Sequence, residues 1–138
     1  MVNQNILQII GQTSLIKVGN IFAKLETTNP SGSVKDRMVG FMVEKAEAKG
    51  ELKPGFEIIE VTSGNTGISL AMIAALKGCK FTAVMPESAS IEKRKMIAAF
   101  GGKIILTPAE EDMTGAVARY QQLVQGRDNI WLPRQFAN

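Results

Sequence analysis

From residue 33 onward the sequence alternates between two hydrophobic periods, and a glycine or proline stands near almost every switch. Residues 34–49 carry a helical period and run into Gly50, with Pro54-Gly55 marking a turn. Residues 56–61 (FEIIEV) read as a strand, and residues 67–77 as a helix closed by Gly78. Residues 80–85 form a strand stopped by Pro86. Ser90 caps a helix over 91–100 that ends at Gly101-Gly102. A strand at 103–107 meets Pro108, a helix spans 110–125 up to Gly126, and 129–132 is a short final strand. Repeated strand–helix units leave few choices: a parallel sheet whose two faces are covered by helices. The expected fold is therefore α/β, a three-layer αβα domain with a parallel sheet of strands 56–61, 80–85, 103–107 and 129–132. Upstream, 15–18 and 21–26 flank Gly19-Asn20 and read as a hairpin. The expected organisation is residues 1–32 as hairpin and connecting loop, then 33–138 as the α/β domain.

Composition narrows the function classes. Of 138 residues, 45% are hydrophobic and 21% charged, which suits one globular domain. No apolar run is long enough to span a membrane, and Met1-Val2-Asn3-Gln4-Asn5 lacks the basic start of a signal peptide, so a cytoplasmic location is expected. A net charge of +3 is mild. Its densest stretch, Lys93-Arg94-Lys95, spreads around a helix and reads as a solvated face, so no nucleic-acid partner is expected. Glu110-Glu111-Asp112 suits a helix's first turn, and no metal is expected there. The single cysteine, Cys79, reads as an inert thiol beside Gly78. With no histidine in the chain, proton transfer falls to lysine, carboxylates or hydroxyls.

Two stretches carry chemistry. Lys35 lies in Asn29-Pro30-Ser31-Gly32-Ser33-Val34-Lys35-Asp36-Arg37, between strand 21–26 and helix 34–49. Ser33 and Asp36 have the capping-box spacing, which sets Lys35 in the first helical turn. The positive field there disfavours a second positive charge, and a neutral amine is what a Schiff-base lysine needs. The second stretch, Thr62-Ser63-Gly64-Asn65-Thr66-Gly67, joins strand 56–61 to helix 67–77. Small hydroxyl residues and glycines at such a junction cradle a carboxylate or phosphate with backbone N–H groups. Gly67 is not followed by Lys-Ser or Lys-Thr, and there is no G-x-G-x-x-G, so neither a P-loop nor a dinucleotide is indicated. Both stretches follow the carboxyl ends of strands, where open α/β sheets bind ligands.

Asn29-Pro30 through Arg37, joined to residues 62–67 at this separation, resembles the cysteine synthase (O-acetylserine sulfhydrylase) family of fold-type II pyridoxal-phosphate enzymes. Gln12-Thr13-Ser14, Met85-Pro86, Phe100-Gly101-Gly102 and Gln135-Phe136-Ala137-Asn138 follow in the family's order, and residues 68–78 are most similar to its B-type members. Gln12 and Ser14 depart from the family's usual Asn and Pro. The resemblance implies the tryptophan synthase β-like fold with pyridoxal 5'-phosphate as cofactor. It implies that Lys35 links the cofactor and moves the substrate's α-proton, and that Asn65 binds the cofactor's phenolic oxygen. Thr62, Ser63, Thr66 and Gln135 would hold the substrate carboxylate. The implied reaction replaces the acetate of O-acetylserine by sulfide or another sulfur donor, giving cysteine. Cystathionine β-synthase-type activity is the alternative, since it shares both stretches. The resemblance covers the first part of such an enzyme; its C-terminal domain, with the Gly/Thr-rich phosphate loop, has no counterpart in these 138 residues. Weak or absent activity, with self-association of an exposed apolar face into a homo-oligomer, is expected of the isolated chain; a non-catalytic structural module is the further alternative.

Overall fold

A computed structural model describes residues 5–135 and 137. Two short strands come first, β1 (Leu15–Val18) and β2 (Ile21–Lys24), paired antiparallel across the Gly19-Asn20 turn. Then follow α1 (Lys35–Ala48), β3 (Glu57–Val61), α2 (Asn65–Lys77), β4 (Lys80–Pro86), α3 (Ile91–Ala99), β5 (Lys103–Thr107), α4 (Asp112–Val124) and β6 (Ile130–Trp131). The last four strands form one parallel sheet in the order β5-β4-β3-β6. This is the expected parallel α/β architecture.

The two faces of β3 explain why its apolar residues, Ile58, Ile59 and Val61, do not alternate with polar ones. Ile58 packs with Val39, Val43 and the apolar residues of α1 and α2, while Ile59 and Val61 pack with Val84 and Ala116 on the α4 side. A strand covered on both faces shows no polar alternation. Met38 and Met42 of α1 fill space around the first of these clusters. Gly78 ends α2 in the left-handed conformation, φ +66°, as the sequence anticipates.

Several boundaries move. β2 stops at Lys24, and Glu26 instead opens a 3-10 turn, Glu26–Thr28. The helix expected at 110–125 is split: Ala109–Glu111 is a 3-10 turn, and α4 starts at Asp112, whose φ is +47°. Strand 129–132 contracts to Ile130–Trp131, because Pro133 follows and has no N–H for a ladder. The capping box at Ser33 is not made. Ser33 Oγ accepts from Lys35 N at 3.2 Å, and Asp36 reaches Ser33 only through its backbone N–H, which donates to Ser33 O at 3.4 Å, not through its carboxylate. Asp36 is fully buried and turns instead to the preceding loop and to α2, accepting from Ser31 N at 2.7 Å and Ser69 Oγ at 2.5 Å. This tertiary tie fixes Lys35 against α2.

The hairpin is attached differently. Leu15, Val18, Ile21 and Phe22 are all exposed. Its anchor is a polar node at its base. Arg37 of α1 grips Glu26 with two bonds, Nε at 2.8 Å and Nη2 at 3.0 Å. Thr13 and Asn29 donate to the same carboxylate, each at 2.8 Å. The Arg37 bonds, aided by those from Thr13 and Asn29, hold the Glu26 carboxyl down at about 2, against an ordinary 4.5. Gly11 lies under the guanidinium with φ +79°; a Cβ there would come within 2.6 Å of Arg37 Nη1.

Candidate active site

β3 ends where the 62–67 loop begins, and the loop is folded on one hydroxyl. Thr62 Oγ1 is buried and accepts from Gly64 N at 3.2 Å and Gly67 N at 3.1 Å. Its own proton remains available for a ligand. Gly67 opens α2 at a place with no room for a side chain: a Cβ would sit 2.6 Å from Thr62 Cγ2. The turn therefore brings the first N–H groups of α2 to the carboxyl end of the sheet.

A cavity of about 280 Å³ opens there. Lys35 reaches it from α1, and Thr62, Ser63, Asn65 and Thr66 reach it from the loop. Gln135 enters from the segment after β6. All six residues singled out in the sequence thus line one space, although they come from three separate parts of the chain. A larger cavity, about 440 Å³ between α1 and the N-terminal segment, contains none of them.

Two residues near the site were not foreseen. Lys93 of α3 also lines the cavity, with Gly64 beneath its side chain; a Cβ on Gly64 would lie 2.7 Å from Lys93 Nζ. The run Lys93-Arg94-Lys95 reads as a solvated face, yet Ser90 capping, with Oγ 3.4 Å from Lys93 N, turns the first of the three inward. Its spacing from Ser90, the N3 position of a capped helix, is the signal that could have found it. Two lysines and no carboxylate line the cavity, so its field attracts anions.

The other is Glu60 of β3, a buried acid. Its carboxylate accepts from Val61 N at 3.0 Å and from Gln135 N at 3.2 Å. Burial pushes its carboxyl above the ordinary range, while the backbone amides of Gln135, Val61 and Arg134 oppose that rise. Gln135 is held at its side chain too: Nε2 donates to Val61 O at 3.1 Å, and Oε1 accepts from Thr66 Oγ1 at 2.7 Å. The preceding residue, Arg134, has φ +52°, a left-handed conformation that costs a non-glycine residue about 1 kcal/mol. Phe136 and Asn138 of the same motif lie outside the described residues. Cys79 is remote from all this, and burial followed by the charge of Glu47 pushes its thiol up, as suits an inert cysteine. Among the described residues no group of acidic, histidine or cysteine side chains is arranged to hold a metal ion, and no helix is long and apolar enough to cross a membrane.

The donor set fits pyridoxal phosphate. A primary amine stands ready for an aldehyde, an exposed amide sits beside it, and hydroxyls and helix N–H groups face an electropositive space.

Comparison with known proteins agrees. A cysteine synthase from a Flavobacterium species is 50% identical over 142 aligned residues, covering 98% of this chain and 46% of that protein. The crystal structure of cysteine synthase from Entamoeba histolytica superposes with a TM-score of 0.95 at 36% identity, covering 100% of this chain and 45% of the other. The O-acetylserine dependent cystathionine beta-synthase of Helicobacter pylori gives 0.93 at 36% identity, covering 100% and 48%. The chain thus spans about half the length of the curated relatives it matches. Residues 6–138 match the profile of the pyridoxal-phosphate dependent enzymes, and with this fold and this lysine-bearing crevice the chain belongs to that family.

Proposed function

We propose that this chain supplies the lysine and substrate-carboxylate side of a cysteine synthase, which replaces the acetate of O-acetylserine by sulfide. The observation that carries the reading is the convergence of Lys35, the 62–67 loop and Gln135 on one cavity. Bound pyridoxal phosphate supplies an electron sink for the carbanion formed when the substrate loses its α-proton. Lys35 is the cofactor-linking residue and takes that proton. The tie of Asp36 to Ser31 and Ser69 keeps the amine in place. Asn65 orients the cofactor ring. The loop's N–H groups, the Thr62, Ser63 and Thr66 hydroxyls, and the Gln135 amide hold the substrate carboxylate. Among the residues this chain brings to the cavity, the two lysines are the strongest bases, since it contributes hydroxyls and amides there but no histidine and no carboxylate.

Lys93 is the competing amine, and the test separates the two. The protein is incubated with pyridoxal phosphate, reduced with borohydride, digested and weighed. An adduct on Lys35 that is lost in Lys35→Ala is expected; an adduct on Lys93 instead would overturn the assignment. In the protein carrying a complete site, Lys35→Ala abolishes exchange of the substrate α-proton. Asn65→Ala weakens turnover less, by roughly the 1–3 kcal/mol of one orphaned buried bond.

The likeness to the Helicobacter pylori enzyme favours one second reading, in which the same crevice serves a cystathionine β-synthase. Both reactions start from O-acetylserine, so sulfide and a thiol amino acid such as homocysteine, offered in competition, decide between them.

A further inference from the structure

The bonds that Gln135 makes with the other described residues pose a problem. Thr66 gives its hydroxyl proton to Gln135 Oε1 at 2.7 Å. It cannot give the same proton to a substrate carboxylate. Gln135 Nε2 has two hydrogens, and one is committed to Val61 O at 3.1 Å. That bond also fixes which end of the amide faces Thr66, since a reversed amide would set its oxygen against the Val61 carbonyl. A carboxylate arriving in the cavity therefore gains Thr66 only if the Gln135 side chain releases it. The release is useful only if the rest of Gln135 stays where it is.

Glu60 provides that hold. The residue is 4% exposed, and its carboxylate accepts from the Gln135 backbone N–H, not from the side chain. Its second oxygen accepts from Val61 N, so the carboxylate is tied to β3 at the root of the 62–67 loop. The bond falls just after Arg134, whose left-handed backbone would relax if nothing secured the next residue. Within the reading proposed above, on which this step rests, we infer that Glu60 is a positioning residue for the carboxylate subsite. It secures the Gln135 backbone while the Gln135 side chain trades Thr66 for the substrate.

Glu60→Gln tests this. The side chain keeps its size, but its single amide oxygen cannot serve all the backbone amides of Gln135, Val61 and Arg134 that the carboxylate faces, and its amide nitrogen is set against the rest. Glu57→Gln, at the opposite end of β3, is the control. Amide hydrogen exchange at Gln135 is measured on this chain, and adduct yield and affinity for L-serine are measured on the pyridoxal-phosphate-treated protein carrying a complete site. In Glu60→Gln, exchange at Gln135 is expected to quicken roughly tenfold, as the loss of a charge-assisted bond implies, with β4 amides and the thermal midpoint unchanged. L-Serine affinity is expected to fall by a similar factor, about tenfold, while the yield of the Lys35 adduct is unchanged. Unaltered exchange at Gln135 overturns the inference. So does faster exchange that appears equally in Glu57→Gln or in β4, or an adduct yield that falls together with serine affinity. A wild-type protein that forms the adduct yet takes no amino acid overturns the proposed function, and the subsite assignment with it.

Discussion

The hairpin β1–β2 and the strand pair β3–β4 are written in much the same residues and are held by different forces. Leu-Ile-Lys-Val and Ile-Phe-Ala-Lys in the hairpin are as rich in β-formers as Glu-Ile-Ile-Glu-Val in β3. Yet Phe22 is 66% exposed and Ile59 is 0% exposed. Helices close over both faces of β3, whereas the hairpin is joined to the domain by the bonds that Arg37, Thr13 and Asn29 make to Glu26. Strand propensity therefore reports where the backbone extends, and says little about what covers it.

The largest expected effect comes from probing the buried pair. Ile59→Ala removes a fully buried side chain and is expected to cost about 3–4 kcal/mol in chemical denaturation. Phe22→Ala, on the exposed hairpin, is expected to cost less than about 1 kcal/mol. Equal costs would mean that the hairpin is covered in solution, most simply by a second copy, and a measured solution mass would show it.

Acid probes the other half of the comparison. The Glu26 carboxyl is depressed from 4.5 to about 2, so the node contributes its full stability above the unfolded value. That contribution is lost as pH falls from about 4.5 toward about 2. The protection of β1 and β2 amides, relative to their intrinsic exchange rates at each pH, is expected to fall over this window while β3 and β4 keep theirs. Glu26→Gln, which cannot carry the charge, is expected to show the same low hairpin protection on both sides of the window. A wild-type hairpin insensitive to pH would show that apolar contacts, not the node, hold it.

The smallest effect tests how apolar the sheet already is. Thr107 on β5 is buried, and its Oγ1 has no hydrogen-bond partner. Thr107→Val replaces an unsatisfied hydroxyl with a methyl of similar shape and is expected to shift stability by no more than about 1 kcal/mol, toward greater stability.

These contrasts mark what could be read from sequence. Period and punctuation place β3, α2, β4, α3 and β5 to within a residue or two, because all but β3 end at or within two residues of a glycine or proline that limits the backbone. Lys35 and the 62–67 loop stand out by type and place, a lysine opening a helix and small hydroxyl and amide residues at a strand–helix junction, whereas Gln135 is singled out only through the family resemblance; all six line one cavity. What escaped was set by distant partners. Ser33 and Asp36 have the spacing of a local cap, but Ser69, 33 residues on, competes for the carboxylate and wins. Glu60 looks like the second of two glutamates in a short strand until Gln135 arrives 75 residues later. Lys93 looks solvated until the Ser90 cap sets the phase of its helix. Local pattern carries local geometry, and these three side chains are assigned their roles by the fold.

The strand order β5-β4-β3-β6 has a consequence for the time course of folding. β3 and β4 pair across one helix, and β5 adds across the next. β6 alone returns across the whole domain, with Ile130 pairing to Glu57, and the Thr66–Gln135 bond closes a separation of 69 residues. Loop-closure entropy makes such contacts the slowest to form. The sheet is expected to gain most of its strands before the crevice exists, so a refolding experiment would see protection in β3 to β5 first and competence to bind a carboxylate last. The crevice is thus expected to be the final product of folding, completed by the segment that travels furthest.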